Sequence, residues 1–413
     1  DLEMRESLLV EGKLDPLRWL DAPGYTSFIV DSDPAKSDYL VVGLRPDSSM
    51  ETVRASGTVL HHEENWMLLR VARGASFEAL VSDKVFVTRV PHEPLQMPKK
   101  VDRTASASAV DFTDPDPLVQ AIVDQVSTSI IDQLWVDITT NPPTGTRYST
   151  HQGCHDAATY CYNMHEGLGL SVEYDNWSSG SDAPNVIATQ EGALYPEDVY
   201  IVIGHLDDLP SSPPAPGADD NASGTVTVLE AARVMSCYAF ESTVKYLNVT
   251  GEESGLNGSE AYADDAFARG ENILGVINMD MNGWAGNGSP DPEDLDINYN
   301  TTSEWLGLLF ADCADRYNTG LAVDAFYCPS LSASDHYPFW QKGWSAICGI
   351  TDNEGYCGHG GNYPYYHTSN DTIANMGDLT FFYAAVRTSV ATLAEMARPF
   401  KIATDREFYG CSS

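Results

Sequence analysis

The sequence predicts an α/β protein: a three-layer αβα sandwich around a mixed, largely parallel sheet, with a small N-terminal α+β domain. Three observations predict it. From about residue 118, apolar runs alternate with segments whose apolar residues recur every three to four positions, the strand–helix alternation of a layered α/β fold. The run DVYIVIG (198–204) is apolar almost without break, as a strand covered on both faces requires. The stretch MPKKVDRTASASAVDFTDPDP (97–117), rich in small residues, proline and charge, sets these elements apart from a first block of different character.

The first block, residues 1–100, offers YLVVGLR (39–45), NWMLLRVA (65–72) and KVFVTRV (84–90) as strands and ASFEALVS (75–82) as a short helix. Its two histidine–glutamate clusters, HHEEN (61–65) and HEPL (92–95), lack the second histidine of a zincin helix and are expected at the surface. Residues 101–117 are expected to be a linker, and 118–413 the main domain. There PLVQAIVDQVSTSIIDQL reads as one helix, followed by the strand DVYIVIG, a helix over 223–236, the strand VKYLNVT (244–250) and a helix beginning near Gly258. The strands ILGVINMD (273–280) and WSAICGIT (344–351) come next. A long amphipathic helix over 378–398, with Asp378 as its N-cap, closes the series.

Bulk composition excludes some partners. Sixty acidic residues against 23 basic ones give a net charge of −37, which repels nucleic acid and anionic membrane. No run approaches the 18 or so consecutive apolar residues of a membrane span. The eight cysteines contain no C-x-x-C; the sequence proximity of Cys154 to Cys161 and of Cys348 to Cys357 suits short disulfide loops in an oxidising compartment. The rival reading for the first pair is a zinc cluster with His155 and His165, whose spacing fits no structural zinc module. A secreted, extracellular location is expected, with the periplasm as an alternative. A signal peptide, if there was one, is expected to have been removed before Asp1.

Ligands of open α/β sheets bind at the carboxyl ends of the strands, so the residues after each predicted strand carry the functional question. His205 to Asp208 (HLDD) follow the first strand, Glu252 and Glu253 the second, and Asp280 ends the third. APGADDNASG (215–224) brings Asp219 and Asp220 ahead of a helix, and YYHTSNDT brings His367. Two histidines and three carboxylates at one rim suit zinc or a similar borderline metal. Asp207, two residues after His205, lies on the same side of an extended chain and can hold the ring N–H opposite the metal. Each residue has a plainer reading as a buried histidine, a helix cap or a turn residue; their joint position at strand ends is what argues for a site.

In this order HLDD, APGADDNASG, TGEESGLNGS, INMDMNG, SASDHYPFW and YYHTSNDT resemble the secreted bacterial dizinc aminopeptidases of metallopeptidase clan MH, whose relatives include glutamate carboxypeptidases and glutaminyl cyclases. The resemblance covers roughly residues 118–400. It implies two Zn²⁺ ions bridged by Asp220, one held also by His205 and Asp280, the other by Glu253 and His367, with Glu252 as general base. It also implies a cis Asp219–Asp220 peptide and a cystine near the pocket, for which Cys328 lacks a near partner in sequence. Peptides with a free N-terminus are the expected substrates, because a carboxypeptidase needs a cation for the terminal carboxylate. Only Lys245 and Lys342 fall close to the motifs. Met281, Tyr337 and Tyr366 are expected to line a pocket for a hydrophobic, Leu-like first residue. The alternatives are a carboxypeptidase, a glutaminyl cyclase or a non-catalytic binding protein on the same scaffold. The first block is expected to be a propeptide-like unit released by cutting near Lys99–Arg103, or else a permanent accessory domain.

Overall fold

A computed structural model describes residues 37–44, 55–63, 66–72, 85–90, 115–140, 145–178, 180–286, 294–351, 357 and 363–400. The chain divides into two compact units, with the division at Val101–Asp102. In the first, β1 (Ser37–Leu44), β2 (Thr58–Glu63), β3 (Trp66–Ala72) and β4 (Val85–Val90) form an antiparallel sheet in the order β2-β3-β1-β4. The helix expected over 75–82 and the HEPL cluster lie outside the described residues.

The second unit is built on an eight-stranded mixed sheet. Its strands are β5 (Ser171–Asp175), β6 (Asn185–Gln190), β7 (Tyr195–His205), β9 (Ser242–Val249), β10 (Asn272–Met279), β11 (Leu295–Tyr299), β12 (Val323–Tyr327) and β13 (Ala346–Ile350). The short strands β8 (Ala239–Phe240) and β14 (Pro399–Phe400) pair separately. The sheet order is β12-β11-β13-β10-β7-β9-β6-β5; the central β13, β10, β7 and β9 run parallel, while β6 and β11 join them antiparallel.

Helices cover both faces. On one lie α1 (Pro117–Val123), α2 (Thr128–Thr140), α3 (Gln152–Gly167), α4 (Gly224–Met235), α6 (Glu304–Arg316) and α8 (Leu379–Ala397); on the other lie α5 (Asn257–Arg269) and α7 (Tyr337–Gln341). Strand β7 shows why the run is apolar throughout. Tyr200 and Val202 point into the larger core with α4, whereas Val199, Ile201 and Ile203 pack beneath Tyr262, Ala263 and Phe339 on the opposite side. The Asp378 cap of α8 forms as expected, its side chain accepting from Thr380 N at 2.9 Å.

Two local expectations are corrected. The helix read across 117–134 is two: α1 ends at Val123, with Asp124 as its C-cap, and α2 starts after Ser127, whose N–H donates to the buried Glu230 carboxylate at 2.8 Å. The break lets α1 pack on α8 while α2 packs on α4. The disulfides also differ. Cys154 and Cys161 are buried free thiols seven residues apart on α3, about 10 Å along the axis and beyond disulfide reach. Their histidine neighbours are engaged elsewhere, His155 with Ser181 O and His165 with Asn248 Oδ1, both at 3.0 Å, so no zinc cluster forms there. Cys348 is a free thiol buried in β13, and Cys357 bonds instead to Cys328, the residue after β12, with Cα atoms 5.6 Å apart.

Candidate metal centre

The carboxyl ends of the parallel strands converge. His205 is the last residue of β7, Asp280 follows β10, and the two glutamates follow β9 through Gly251, whose φ of 77° turns the chain. Space demands glycine there as well, since a Cβ would stand 2.7 Å from the Trp177 ring. Gly255 N and Leu256 N then donate to Glu252 O, closing the turn into α5.

The side chains form two clusters that share one carboxylate. His205, Glu252 and Asp280 form one, and Asp220, Glu253 and His367 the other, each with its candidate ligand atoms within 4.8 Å of one another. Asp220 joins them: Oδ1 is 3.5 Å from His205 Nε2, and Oδ2 is 3.1 Å from His367 Nε2. His205 Nε2 is 3.3 Å from Asp280 Oδ1, and His367 Nε2 is 3.0 Å from Glu253 Oε2. The adjacent glutamates therefore serve different clusters.

The surrounding groups hold these residues in place. The Asp207 carboxylate accepts from Glu252 N and Glu253 N, both at 3.2 Å, tying the β7 loop to the glutamate turn. Asp207 O lies 3.1 Å from His205 Nδ1, closer than its own carboxylate at 3.7 Å. Ser334 Oγ donates to Asp280 Oδ2 at 2.6 Å. Asn221 donates to Met279 O and accepts from Gly224 N, lashing the Asp220 loop to β10. The cis peptide expected at Asp219–Asp220 lies one bond later, at Asp220–Asn221; the Asp219 and Asp220 N–H groups both donate to the Asp371 carboxylate, at 2.8 and 3.0 Å. Trp135 of α2 supports the same loop by donating to Ala218 O at 2.7 Å.

The electrostatics of the two clusters favour a bound cation. Burial, partly opposed by His205 and reinforced by Asp280, Asp335 and Glu253, pushes Glu252 well above the ordinary carboxylate range. Burial and the Asp220 charge push Glu253 up to about 8. Burial works against the His367 charge, yet its hydrogen bonds with Asp220 and Glu253 lift it to about 10. So many carboxylates facing one another need a positive counter-charge. Glu253 Oε1 is buried without a hydrogen-bond partner, as an acceptor reserved for metal would be. Nitrogen and carboxylate donors of this kind fit zinc.

The cavity beside the clusters is lined by Asp220, Glu252, Glu253, Asp280, Met281, Leu331, Ala333, Ile350, Tyr366 and His367. Met281 and Tyr366 are thus in its wall; Tyr337 begins α7 and is not among the lining residues. Met281 and His367 both have left-handed backbone, φ 55° and 54°, which aims side chains at sites regular structure does not reach. Lys245 and Lys342 face elsewhere, paired with Glu271 and Asp264. Sequence reading missed Asp371, four residues after His367, and Ser334; both lie inside quoted motifs, yet neither follows a predicted strand.

The comparisons with known proteins agree with this geometry. The model of Peptidase family M28 matches residues 185–393. A probable zinc metalloprotease of Leptosphaeria maculans is 26% identical over 331 residues, covering 65% of this chain and 72% of that protein. A probable leucine aminopeptidase of Trichophyton verrucosum is 33% identical over 224 residues, covering 52% and 56%. The matches thus span from about half to three quarters of these relatives' length. Among solved structures, the Legionella pneumophila LapA aminopeptidase superposes with a TM-score of 0.59 at 18% identity, over 89% of this chain and 100% of that one. A Porphyromonas gingivalis glutaminyl cyclase reaches 0.51 at 18% identity, over 64% and 98%. At these identities the structural likeness is one of fold. The family model, by contrast, spans half of the chain and contains His205, Asp220, Glu252, Glu253, Asp280 and His367. The chain belongs to peptidase family M28.

Proposed function

We propose that this chain is a secreted aminopeptidase working with two zinc ions and removing hydrophobic, Leu-like residues from peptides with a free N-terminus. One observation carries the reading: the Asp220 carboxylate stands between two ligand clusters, an oxygen toward each. Asp220 would bridge the pair, His205 and Asp280 completing one position, Glu253 and His367 the other. Zinc held there would lower the pKa of a bound water and polarise a carbonyl. The chain's own residues supply the rest. Of the four carboxylates lining the cavity, Asp220, Glu253 and Asp280 are assigned to metal in this reading. Glu252, though close enough to His205 and Asp280 to ligate, is assigned to move a proton between the attacking water and the leaving amine. Asp207 fixes the turn that presents it.

Charge supports the amino end of the peptide. No lysine or arginine is among the described residues lining the cavity, so nothing there clamps a terminal carboxylate, whereas its acidic wall attracts an ammonium group. Met281, Leu331, Ile350 and Tyr366 supply the apolar surface for a Leu-like side chain. The Cys328–Cys357 cystine supports an oxidising, extracellular setting. The first unit is read as a propeptide-like restraint, so cutting near Lys99–Arg103 should raise activity.

The test is hydrolysis of Leu-p-nitroanilide against its N-acetylated form, with metal content measured on the same sample. Two zinc per chain, cleavage of the free amine only and loss of activity on chelation are expected. Cleavage of the acetylated substrate at a comparable rate overturns the aminopeptidase reading.

A further inference from the structure

Among the described residues, Arg147 is the one lysine or arginine that is buried, 1% exposed, and it lies beneath the metal centre rather than in its cavity. Its Nε donates to Leu206 O at 2.8 Å, the carbonyl just after His205. Its Nη1 and Nη2 donate to Pro216 O at 2.8 Å and Gly217 O at 3.0 Å, the carbonyls that lead into Ala218, Asp219 and Asp220. Nη1 also reaches Ile138 O on α2, at 3.4 Å. Asp208 balances the charge: its Oδ2 is 3.3 Å from Nη1, while its Oδ1 accepts from Arg147 N and Thr146 Oγ1. The approach is so close that a Cβ on Gly217 would stand 2.8 Å from Nη2.

One planar group thus joins the loop after β7 to the loop that carries Asp219 and Asp220. The guanidinium presents five donors in a rigid fork, a geometry an ammonium cannot reproduce. We propose that Arg147 is a positioning residue for the metal centre: by holding the carbonyls of Leu206, Pro216 and Gly217 around one guanidinium, it sets the distance between His205 and the bridging Asp220. This inference rests on the dizinc reading above. It makes the separation of two ligands from distant loops a property of one side chain.

The test compares Arg147→Lys with Arg233→Lys, which alters a partly buried arginine paired with Glu230 on α4. Each variant is measured for stability, zinc affinity by chelator competition, the absorption spectrum of the cobalt(II)-loaded protein, and kcat and KM. R147K is expected to bind zinc about ten- to a hundred-fold more weakly, the usual effect of losing a support of the ligands. Its cobalt spectrum should shift and kcat fall more than KM rises. R233K is expected to lose stability alone. Wild-type zinc affinity and cobalt spectrum in R147K overturn the inference, as does the same affinity loss in R233K at equal destabilisation. Should R147K fail to fold, Arg147→Met with Asp208→Leu removes both buried charges together; wild-type zinc affinity in that pair is equally fatal. A wild-type chain that takes up no metal overturns the dizinc reading and this inference with it, whereas normal loading of both wild type and R147K removes the inference alone.

Discussion

Asp371 offers a sharp test of how the bridging carboxylate is held. It is 1% exposed, and its two oxygens divide the work: Oδ1 accepts from Asp219 N at 2.8 Å and from the Tyr363 hydroxyl at 2.5 Å, while Oδ2 accepts from Asp220 N at 3.0 Å. Asp371→Asn keeps the shape but replaces one acceptor oxygen with an NH₂ group. Whichever way the amide lies, a buried backbone N–H then faces a donor. An unpaired buried donor costs about 1–3 kcal/mol, and that is the expected loss of stability in the metal-free protein. Because one of the two amides belongs to Asp220 itself, zinc affinity should fall too. Tyr363→Phe removes only the hydroxyl, leaves both amides paired, and should cost about 1 kcal/mol with little change in zinc binding. The assay is urea unfolding of metal-free protein followed by zinc titration with a competing chelator. Should Asp371→Asn change stability by less than about 0.5 kcal/mol, the scatter of neutral substitutions, with zinc affinity intact, the role given to Asp371 is wrong.

Three further outcomes follow from the geometry. Glu252→Gln is expected to retain both zinc ions while kcat falls by about 100- to 10,000-fold, the usual worth of a positioned proton carrier; full turnover would reassign the base. Burial lowers the His165 pKa from 6.5 to about 4, despite its hydrogen bond with Asn248. Between those values the unfolded chain binds the extra proton, so His165 costs nothing above pH 6.5 and destabilises the fold as pH falls. Relative to His165→Gln, the wild type should lose about 3 kcal/mol across that window, read by denaturant titrations at each pH. Gly224 opens α4 against β10, where a Cβ would stand 2.1 Å from Met279 O. The backbone must move to admit it, so Gly224→Ala should cost about 1–3 kcal/mol or more, read as a shifted urea midpoint.

Strand–helix alternation was legible because it is written in local periodicity. The strands around DVYIVIG, VKYLNVT and ILGVINMD are apolar on both faces because both faces are covered. The flanking β5, β6, β11 and β12 were not read: β5 has a mostly exposed pattern, and the others, NVIATQ, LDINY and VDAFY, mix polar residues into their apolar ones. The break between α1 and α2 was hidden for a related reason, since a helical period continues across it while the tertiary packing of two helices divides it.

The sequence by itself determined the layered fold and the family, and it presented the carboxylates and histidines at strand ends, because each depends on neighbours a few residues away. Only the tertiary structure decided which groups meet. It paired Cys328 with Cys357 in place of either short loop, and placed Asp371 against amides 151 and 152 residues away. It also carried Arg147 under loops 59 to 70 residues distant. Such contacts follow from the order in which strands join the sheet, and no local pattern along the chain records that order.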